Sequence, residues 1–401
     1  MPSSVSNRLL IPTGGGRAAG ARYLLLCREE MAGTYPVLGP DELIWLARIA
    51  GLSGCRIIAR VARAWQAAAE QARFVPPFGP PHLVVTVDPA RADALMDLHG
   101  VAALPDGGLV ITQANDLLHE FNPEGVKVRT LGDARFREER MHAMFAQLPH
   151  TFRPNEFASP SGVCMGDGVL FLLDECRVMK LRLPEMSVVH TFSPAVDGAH
   201  NWEGACDDPL AEPHALAFLH GRLFVSCAGR RWDNGATSGI SIFDANALSF
   251  IGRFHTSPGL GPIGSEPGQW GSYPGGIAPF CGRIVVADPG NDRLQVFSEE
   301  GRLERQVGGV AGRPHSLSSS DLTQQLVVSC RDAACVRIYN GAFRLVQQIA
   351  LPFTSPTGDV VGTAISAAGT HMWVACSDLV ESEMNAQRAI VAGKLLLLAT
   401  V

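Results

Sequence analysis

Three histidines, His99, His214 and His315, stand at the same position of a repeated sequence pattern. Each lies two residues before an apolar residue of a predicted strand. Neutral imidazole nitrogens bind zinc well, and three of them with an open fourth position are typical of a catalytic Zn²⁺ site. The pattern therefore predicts a three-histidine site, provided that the fold brings the repeats around one axis.

The repeat is defined by the residue that closes the second strand of each copy, as Asp288 does in IVVAD. The six closing residues are Gln113, Asp174, Cys227, Asp288, Cys330 and Cys376. They lie 42 to 61 residues apart, which suits a four-stranded unit with variable loops. Six copies predict six blades, which must stack into a ring because one blade cannot bury its own faces.

Counting back about eleven residues from each closing residue predicts the innermost strand of each blade. The aligned apolar residues are Val101, Val163, Leu216, Ile277, Leu317 and Ile365. The residues two places earlier are His99, Ser161, His214, Gly275, His315 and Thr363. The three histidines thus belong to blades one, three and five, about 120° apart around the ring.

Residues 274–308 hold the clearest copy, with strands GGIAPF, RIVVAD, RLQVF and LERQVG separated by turn residues. Short alternating runs of this kind are typical of successive antiparallel hairpins. Together with the preceding GSEPGQWGSY, the stretch closely resembles an NHL repeat. The resemblance implies a mainly β protein, with a six-bladed NHL-type β-propeller over 82–401 that follows a small α-helical module.

The last copy has no convincing fourth strand, whereas the run HLVVTVD at residues 82–88 has no partner of its own. We therefore predict that 82–88 pairs with the last blade and closes the ring.

The segments PHALA and PHSLS, around His214 and His315, are similar to the Pro-His-x-Leu segments of peptidyl-α-hydroxyglycine lyases. Those enzymes are six-bladed propellers with a three-histidine zinc site, so the resemblance makes His99, His214 and His315 metal ligands. His99 follows Leu98 rather than proline, and no tyrosine follows the aligned position in any blade. The other interpretation is structural, because a histidine at this position can hydrogen-bond the neighbouring backbone.

Residues 37–73 carry a helical pattern, with helix-start residues at 40–42 followed by an apolar face. The run LGPDELIWLARIAGLSGCRIIARVARAWQAAA resembles an F-box, the module that docks an SCF-type ubiquitin ligase adaptor. The resemblance assigns adaptor docking to Leu38, Pro40, Glu42, Leu43 and Trp45. The alternative is a helical cap that packs on the propeller.

Residues 1–36 form a disordered or targeting tail in our interpretation. The first 28 residues lack Asp and Glu and contain four Arg, a composition that organelle transit peptides share. Ten cysteines without a CxxC pair indicate a reducing compartment. We expect a cytoplasmic protein, with organelle import as the alternative, and no apolar run approaches the ~18–20 residues of a membrane span.

Charge is divided unevenly along the chain. Residues 1–80 contain nine Arg and five acidic residues, whereas the rest contains 24 basic and 34 acidic residues. Phosphate binding needs clustered Lys and Arg, so the acidic propeller argues against nucleic acid as a partner.

We assign a substrate-binding face to Arg230, Arg231, Trp232 and Trp270.

These features predict a recognition protein rather than an enzyme. The propeller binds a protein or peptide substrate, and the helical module links it to the adaptor–cullin complex of a ubiquitin ligase, without a cofactor. One alternative is a propeller metallo-lyase with zinc on the three histidines. A further alternative is a plain scaffold or an RNA-binding NHL propeller.

Overall fold

A computed structural model shows a mainly β protein, in which six four-stranded antiparallel sheets form a six-bladed propeller. The structure describes residues 78, 82–86, 98–113, 116–133, 135, 139, 142, 156–175, 177–193, 209–229, 238–254, 263–351, 359–367, 369–381 and 389–399. The predicted tail at 1–36 and helical module at 37–73 lie outside these residues. No helix within the described ranges is long and apolar enough to cross a membrane.

The first strand within the described residues, β1 (His82–Thr86), belongs to the last blade, and the other described strands follow blade by blade. Blade one contains β2 (Leu98–Ala103), β3 (Leu109–Gln113), β4 (Leu117–Phe121) and β5 (Lys127–Leu131). Blade two contains β6 (Pro160–Gly166), β7 (Val169–Asp174), β8 (Arg177–Arg182) and β9 (Ser187–Phe192). Blade three contains β10 (Pro213–Leu219), β11 (Arg222–Cys227), β12 (Gly239–Asp244) and β13 (Ser249–Phe254).

The second half of the ring repeats this order, with the innermost strand first in each blade. Blade four contains β14 (Ile277–Phe280), β15 (Arg283–Asp288), β16 (Arg293–Phe297) and β17 (Leu303–Val307). Blade five contains β18 (Pro314–Ser320), β19 (Gln325–Cys330), β20 (Cys335–Tyr339) and β21 (Leu345–Ala350). Blade six contains β22 (Asp359–Ile365), β23 (His371–Glu381), β24 (Ala389–Ala399) and β1.

Ring closure joins the two ends of the described chain. Strand β1 pairs antiparallel with β24, with His82 opposite Leu397 and Thr86 opposite Lys394. This is the pairing that the sequence pattern of 82–88 indicates. Because β1 supplies the outermost strand of the last blade, that blade has four strands like the others.

Tight turns join the first two strands of several blades. Cys281 and Gly282 form a two-residue turn in which both φ angles are positive, 52° and 68°. Such turns match the right-handed twist of the strands that they connect. The other two-residue turns of this kind are Asp167–Gly168 and His220–Gly221.

The core lies between the blades. Six apolar clusters go round the ring, and each one joins residues of two neighbouring blades. Ile111 of blade one and Trp373 of blade six, for example, share the cluster that seals the first blade against the last. Close-packed interiors of this kind resist deformation, so the ring holds the innermost strands at fixed positions.

Candidate functional site

The central channel is surrounded by the innermost strands of all six blades and holds a small cavity of about 60 Å³. Its lining residues are His99, Gly100, Val101, Gly162, Val163, His214, Ala215, Leu216, Gly276, Ile277, His315, Ser316, Leu317 and Thr363. The structure therefore brings the three predicted histidines into one cavity.

A β-bulge directs each histidine. In β10 the register shifts between Pro213 and Ala215, so His214 is an extra residue with no partner of its own in β11. The strands that carry His99 and His315 have a shift at the same place. Bulges re-aim the side chain of the extra residue, which explains why these polar side chains reach the channel from an otherwise regular strand.

A hydroxyl group stabilises each of these three bulges, and the sequence analysis missed it. The amide of Gly100 donates to Thr112 Oγ1 at 2.6 Å, and the amide of Ala215 donates to Ser226 Oγ at 3.1 Å. In blade five the amide of Ser316 donates to Ser329 Oγ at 2.8 Å. The blades without a channel histidine have Leu173, Ala287 and Ala375 at this position.

Two of these hydroxyls also tie neighbouring blades together. Thr112 donates to the carbonyl oxygen of Ser161 at 2.5 Å, and Ser226 donates to that of Gly275 at 2.8 Å. The sequence signal was available, since a Ser or Thr precedes the closing residue only in blades one, three and five. Blades one, three and five therefore carry both the channel histidine and the hydroxyl, and the three blades between them carry neither at these positions.

His214 has the most distinctive surroundings of the three. Its ring meets that of His315 edge-on at 5.2 Å between centroids, and Tyr273 lies 5.5 Å away. Its Nδ1 is buried without a hydrogen-bond partner among the residues that the structure describes. Burial lowers the pKa of His214 to about 4, and electrostatic interactions with His99 and Arg331 act in the same direction. The imidazole is therefore neutral at neutral pH.

The three histidines share the channel without forming a metal site as they are placed. In the described part of the chain, no three His, Cys, Asp or Glu side chains are arranged to hold a metal ion.

Tyr273, which no repeat position indicated, lies beside His214 because the loop before β14 turns towards the channel.

In blade six, the predicted position of the innermost strand is wrong by two residues. Thr363 lies opposite Val374, as Val101 lies opposite Ile111 in blade one, so Thr363 occupies the apolar position rather than the histidine position. The cause is the turn at 366–370, which is longer than the two-residue turns of blades two, three and four and moves the innermost strand two residues back.

Buried ion pairs hold the loops that lead into two blades. Arg293 donates to Asp288 Oδ2 at 2.7 Å and to the carbonyl oxygens of Ser265 and Gln269, both at 2.7 Å. Asp288 Oδ1 accepts from the amide of Gly271 at 2.8 Å. This network fixes the loop before β14, next to Tyr273.

Blade two has the equivalent pair, Asp174 and Arg177. Asp174 accepts from the amide of Ala158 at 2.6 Å, and Arg177 donates to the carbonyl oxygen of Glu156 at 3.2 Å. Burial raises the pKa of Asp174 to about 6 against the opposing effect of Arg177. An Asp that closes the second strand, followed by an Arg that opens the third, is the sequence signal for this network.

The remaining predicted site residues fall in different places. Trp270 is fully buried in the cluster between blades three and four, with its ring 5.9 Å from that of Phe297, so it packs in the core instead of meeting a substrate. Arg230, Arg231 and Trp232 lie outside the described residues, in the segment between β11 and β12. The predicted docking residues Leu38, Pro40, Glu42, Leu43 and Trp45 also lie outside them.

Connection lengths differ between the two ends of the propeller. We call the end at which the innermost strands begin the upper face. The longest segments between strands, 132–159, 193–212 and 255–276, all join the outermost strand of one blade to the innermost strand of the next at the upper face. At the opposite face, no connection between described strands exceeds five residues, as in 298–302.

No protein-family model matches the chain, and no curated protein matches it. Among solved structures, the chain is similar to a catalytically inactive virginiamycin B lyase from Staphylococcus aureus with quinupristin, at 9% identity and a TM-score of 0.45. It is also similar to the WD40 repeats of RRP9, at 10% identity and 0.47, and to U3-55K, at 9% identity and 0.47. Each comparison covers 81% of this chain and 99–100% of the other.

Proposed function

We propose that the protein recognises a protein or peptide substrate with the upper face of its propeller and delivers it to a ubiquitin ligase through residues 37–73. The observation that carries the proposal is the concentration of all long connections at one face of a rigid ring. Surface loops on a rigid scaffold are the usual place for binding residues, because they vary without cost to the core.

The upper face has the polar character that a peptide-binding surface needs. Arg313 and Asp332 of blade five are exposed there and form an ion pair of 3.9 Å. The sequence between β11 and β12 contains Arg230, Arg231 and Trp232, and Arg and Trp are enriched among the residues that dominate binding energy at interfaces. The substrate contacts therefore belong to the loops around the channel mouth.

The link to the ligase rests on the F-box-like pattern of Leu38, Pro40, Glu42, Leu43 and Trp45. In the chain that follows this pattern, Phe78 is hydrogen-bonded to the propeller. Gln347 of β21 accepts from the amide of Phe78 at 2.9 Å and donates to its carbonyl oxygen at 2.8 Å.

One experiment with the full chain tests both parts. Pro40→Ala with Leu43→Ala is expected to weaken capture of a purified SCF adaptor–cullin complex at least tenfold and to leave substrate capture unchanged. A triple variant is expected to weaken substrate capture and to leave adaptor capture unchanged; it combines Arg230→Ala, Arg231→Ala and Trp232→Ala. Equal adaptor capture by the Pro40/Leu43 variant and the wild type contradicts the docking assignment.

A matched control comes from the opposite face. Glu124→Ala with Arg344→Ala removes two exposed charges there, and it is expected to bind both the adaptor and the substrate as the wild type does. If this control loses the substrate while the Arg230–Trp232 variant keeps it, the upper face is not the recognition surface.

A second candidate function is a metallo-lyase, since His99, His214 and His315 share the channel, although zinc binding requires them to move from the positions that the structure gives them. The distinguishing measurement is the zinc content of the purified full chain. Stoichiometric zinc that disappears in His214→Ala supports the lyase. Zinc that is absent, or that is unchanged in His214→Ala, removes His214 as a ligand.

A further inference from the structure

Two cysteines face each other across a hairpin of blade five. Cys330 ends β19 and Cys335 begins β20, and they are direct cross-strand partners joined by the turn at 331–334. Both are free thiols, 0% and 1% exposed, and both belong to the apolar cluster between blades four and five. Directly opposite residues of an antiparallel pair project on the same side of the sheet.

This placement meets the spatial demands of a disulfide. Cross-strand partners in antiparallel sheets have Cα atoms ~4.5–5.5 Å apart, and disulfides span Cα separations of about 4.4–6.8 Å. The two thiols are close enough to interact, since a hydrogen bond between Cys330 and Cys335 shifts the pKa of both. The blade therefore needs little rearrangement to accommodate a covalent bond.

Other blades show that the pair is specific to this hairpin. The same closing position holds Cys227 in blade three and Cys376 in blade six. Their cross-strand partners are Gly239 and Lys394. Within the described strands, two thiols lie opposite each other only at Cys330 and Cys335.

The two thiols are also chemically unequal. The hydrogen bond from Cys330 lowers the pKa of Cys335 to about 7, and the Arg337 guanidinium acts in the same direction against burial. The same hydrogen bond and burial raise the pKa of Cys330. Cys335 is therefore the more readily ionised thiol of the pair.

We propose that Cys330 and Cys335 form an oxidisable dithiol, which hydrogen peroxide converts into a disulfide and small thiols restore. The Cys335 thiolate attacks one peroxide oxygen, the O–O bond breaks, and hydroxide leaves, which gives a sulfenic acid. The Cys330 sulfur then attacks the Cys335 sulfur, and the sulfenic hydroxyl leaves with the Cys330 proton as water. Two thiols lose two electrons, and one peroxide becomes two waters.

The sequence offers a direct assay on the full chain. Trypsin cleaves after Arg305, Arg331 and Arg337, so it separates Cys330 and Cys335 onto peptides 306–331 and 332–337, each with one cysteine. The protein is treated with hydrogen peroxide, unfolded, alkylated and digested without reductant. Mass spectrometry is expected to find the two peptides linked in the majority of molecules, and dithiothreitol is expected to separate them.

Variants define the order of the steps. Cys335→Ser is expected to abolish the linked pair, and Cys227→Ser, a buried cysteine at the same position of another blade, is expected to retain it. In Cys330→Ser the sulfenic acid on Cys335 has no partner, so dimedone is expected to label it. Alkylation of both cysteines in peroxide-treated wild-type protein, or a link from Cys335 to any other cysteine, overturns the proposal.

Discussion

The unusual protonation of His214 leads to a quantitative prediction for the acid stability of the propeller. The imidazole is buried in the channel, and its pKa of about 4 lies below the ordinary value of 6.5. Between these two values the unfolded chain binds more protons than the folded chain. Stability that is fully present above pH 6.5 is therefore lost as the pH falls towards 4.

The size of the effect follows from the two pKa values. One pKa unit corresponds to about 1.4 kcal/mol, so His214 alone should lower the free energy of unfolding by about 2 kcal/mol between pH 7 and pH 5. In His214→Gln the side chain stays polar but no longer titrates. The variant should therefore lose about 2 kcal/mol less than the wild type over the same interval.

The assay is urea unfolding at pH 7 and pH 5, in buffer with EDTA so that no metal competes with protons. Ser161→Gln is the matched control, because Ser161 occupies the bulge position of blade two and the variant keeps every histidine. Equal denaturant slopes show that each protein unfolds the same surface. If His214→Gln and the wild type lose the same free energy, the burial of a neutral imidazole is refuted.

Two further predictions concern hydrogen bonds that hold the ring. Thr112→Val leaves the Gly100 amide and the Ser161 carbonyl without their partner, so the free energy of unfolding in urea should fall by about 1–3 kcal/mol, and Thr112→Ser should restore most of it. Gln347→Ala removes both hydrogen bonds to Phe78, so the Phe78 amide should exchange its hydrogen roughly tenfold faster, and unchanged exchange would contradict this anchor.

The sequence predicted the blades well because each blade is built from local signals. Alternating apolar residues and turn residues fix where a strand begins and ends, and five of the six closing residues end the second strand of their sheet. The exception is Cys376, because β23 continues to Glu381. The apolar position of the innermost strand was correct in five blades. It was wrong in blade six, where a longer turn follows β22 and places Thr363 rather than Ile365 at this position.

The residues around the channel were predicted only in part. The sequence identified His99, His214 and His315, because they share a repeat position. It did not identify Tyr273 beside His214, since Tyr273 belongs to a loop whose path depends on the buried Asp288–Arg293 network.

Trp270 also shows what the sequence could not predict, because a residue assigned to the substrate-binding face lies in the core. An aromatic residue in a Gly-rich loop has the composition of a binding residue, and the structure buries it completely between blades three and four. Whether a loop residue meets solvent or the core is decided by the neighbouring blade, which no local pattern contains.

By itself, the sequence determined that the chain repeats six times, where most strands lie, and which three blades carry a histidine. Only the tertiary structure decided how those positions meet: the bulges that turn His99, His214 and His315 into the channel, and the hairpin that sets Cys330 against Cys335. The physical reason is the distance along the chain over which each interaction acts. Turns and strand periodicity act over a few residues, whereas the direction and contacts of a side chain depend on pairing and packing between segments that are far apart in the chain.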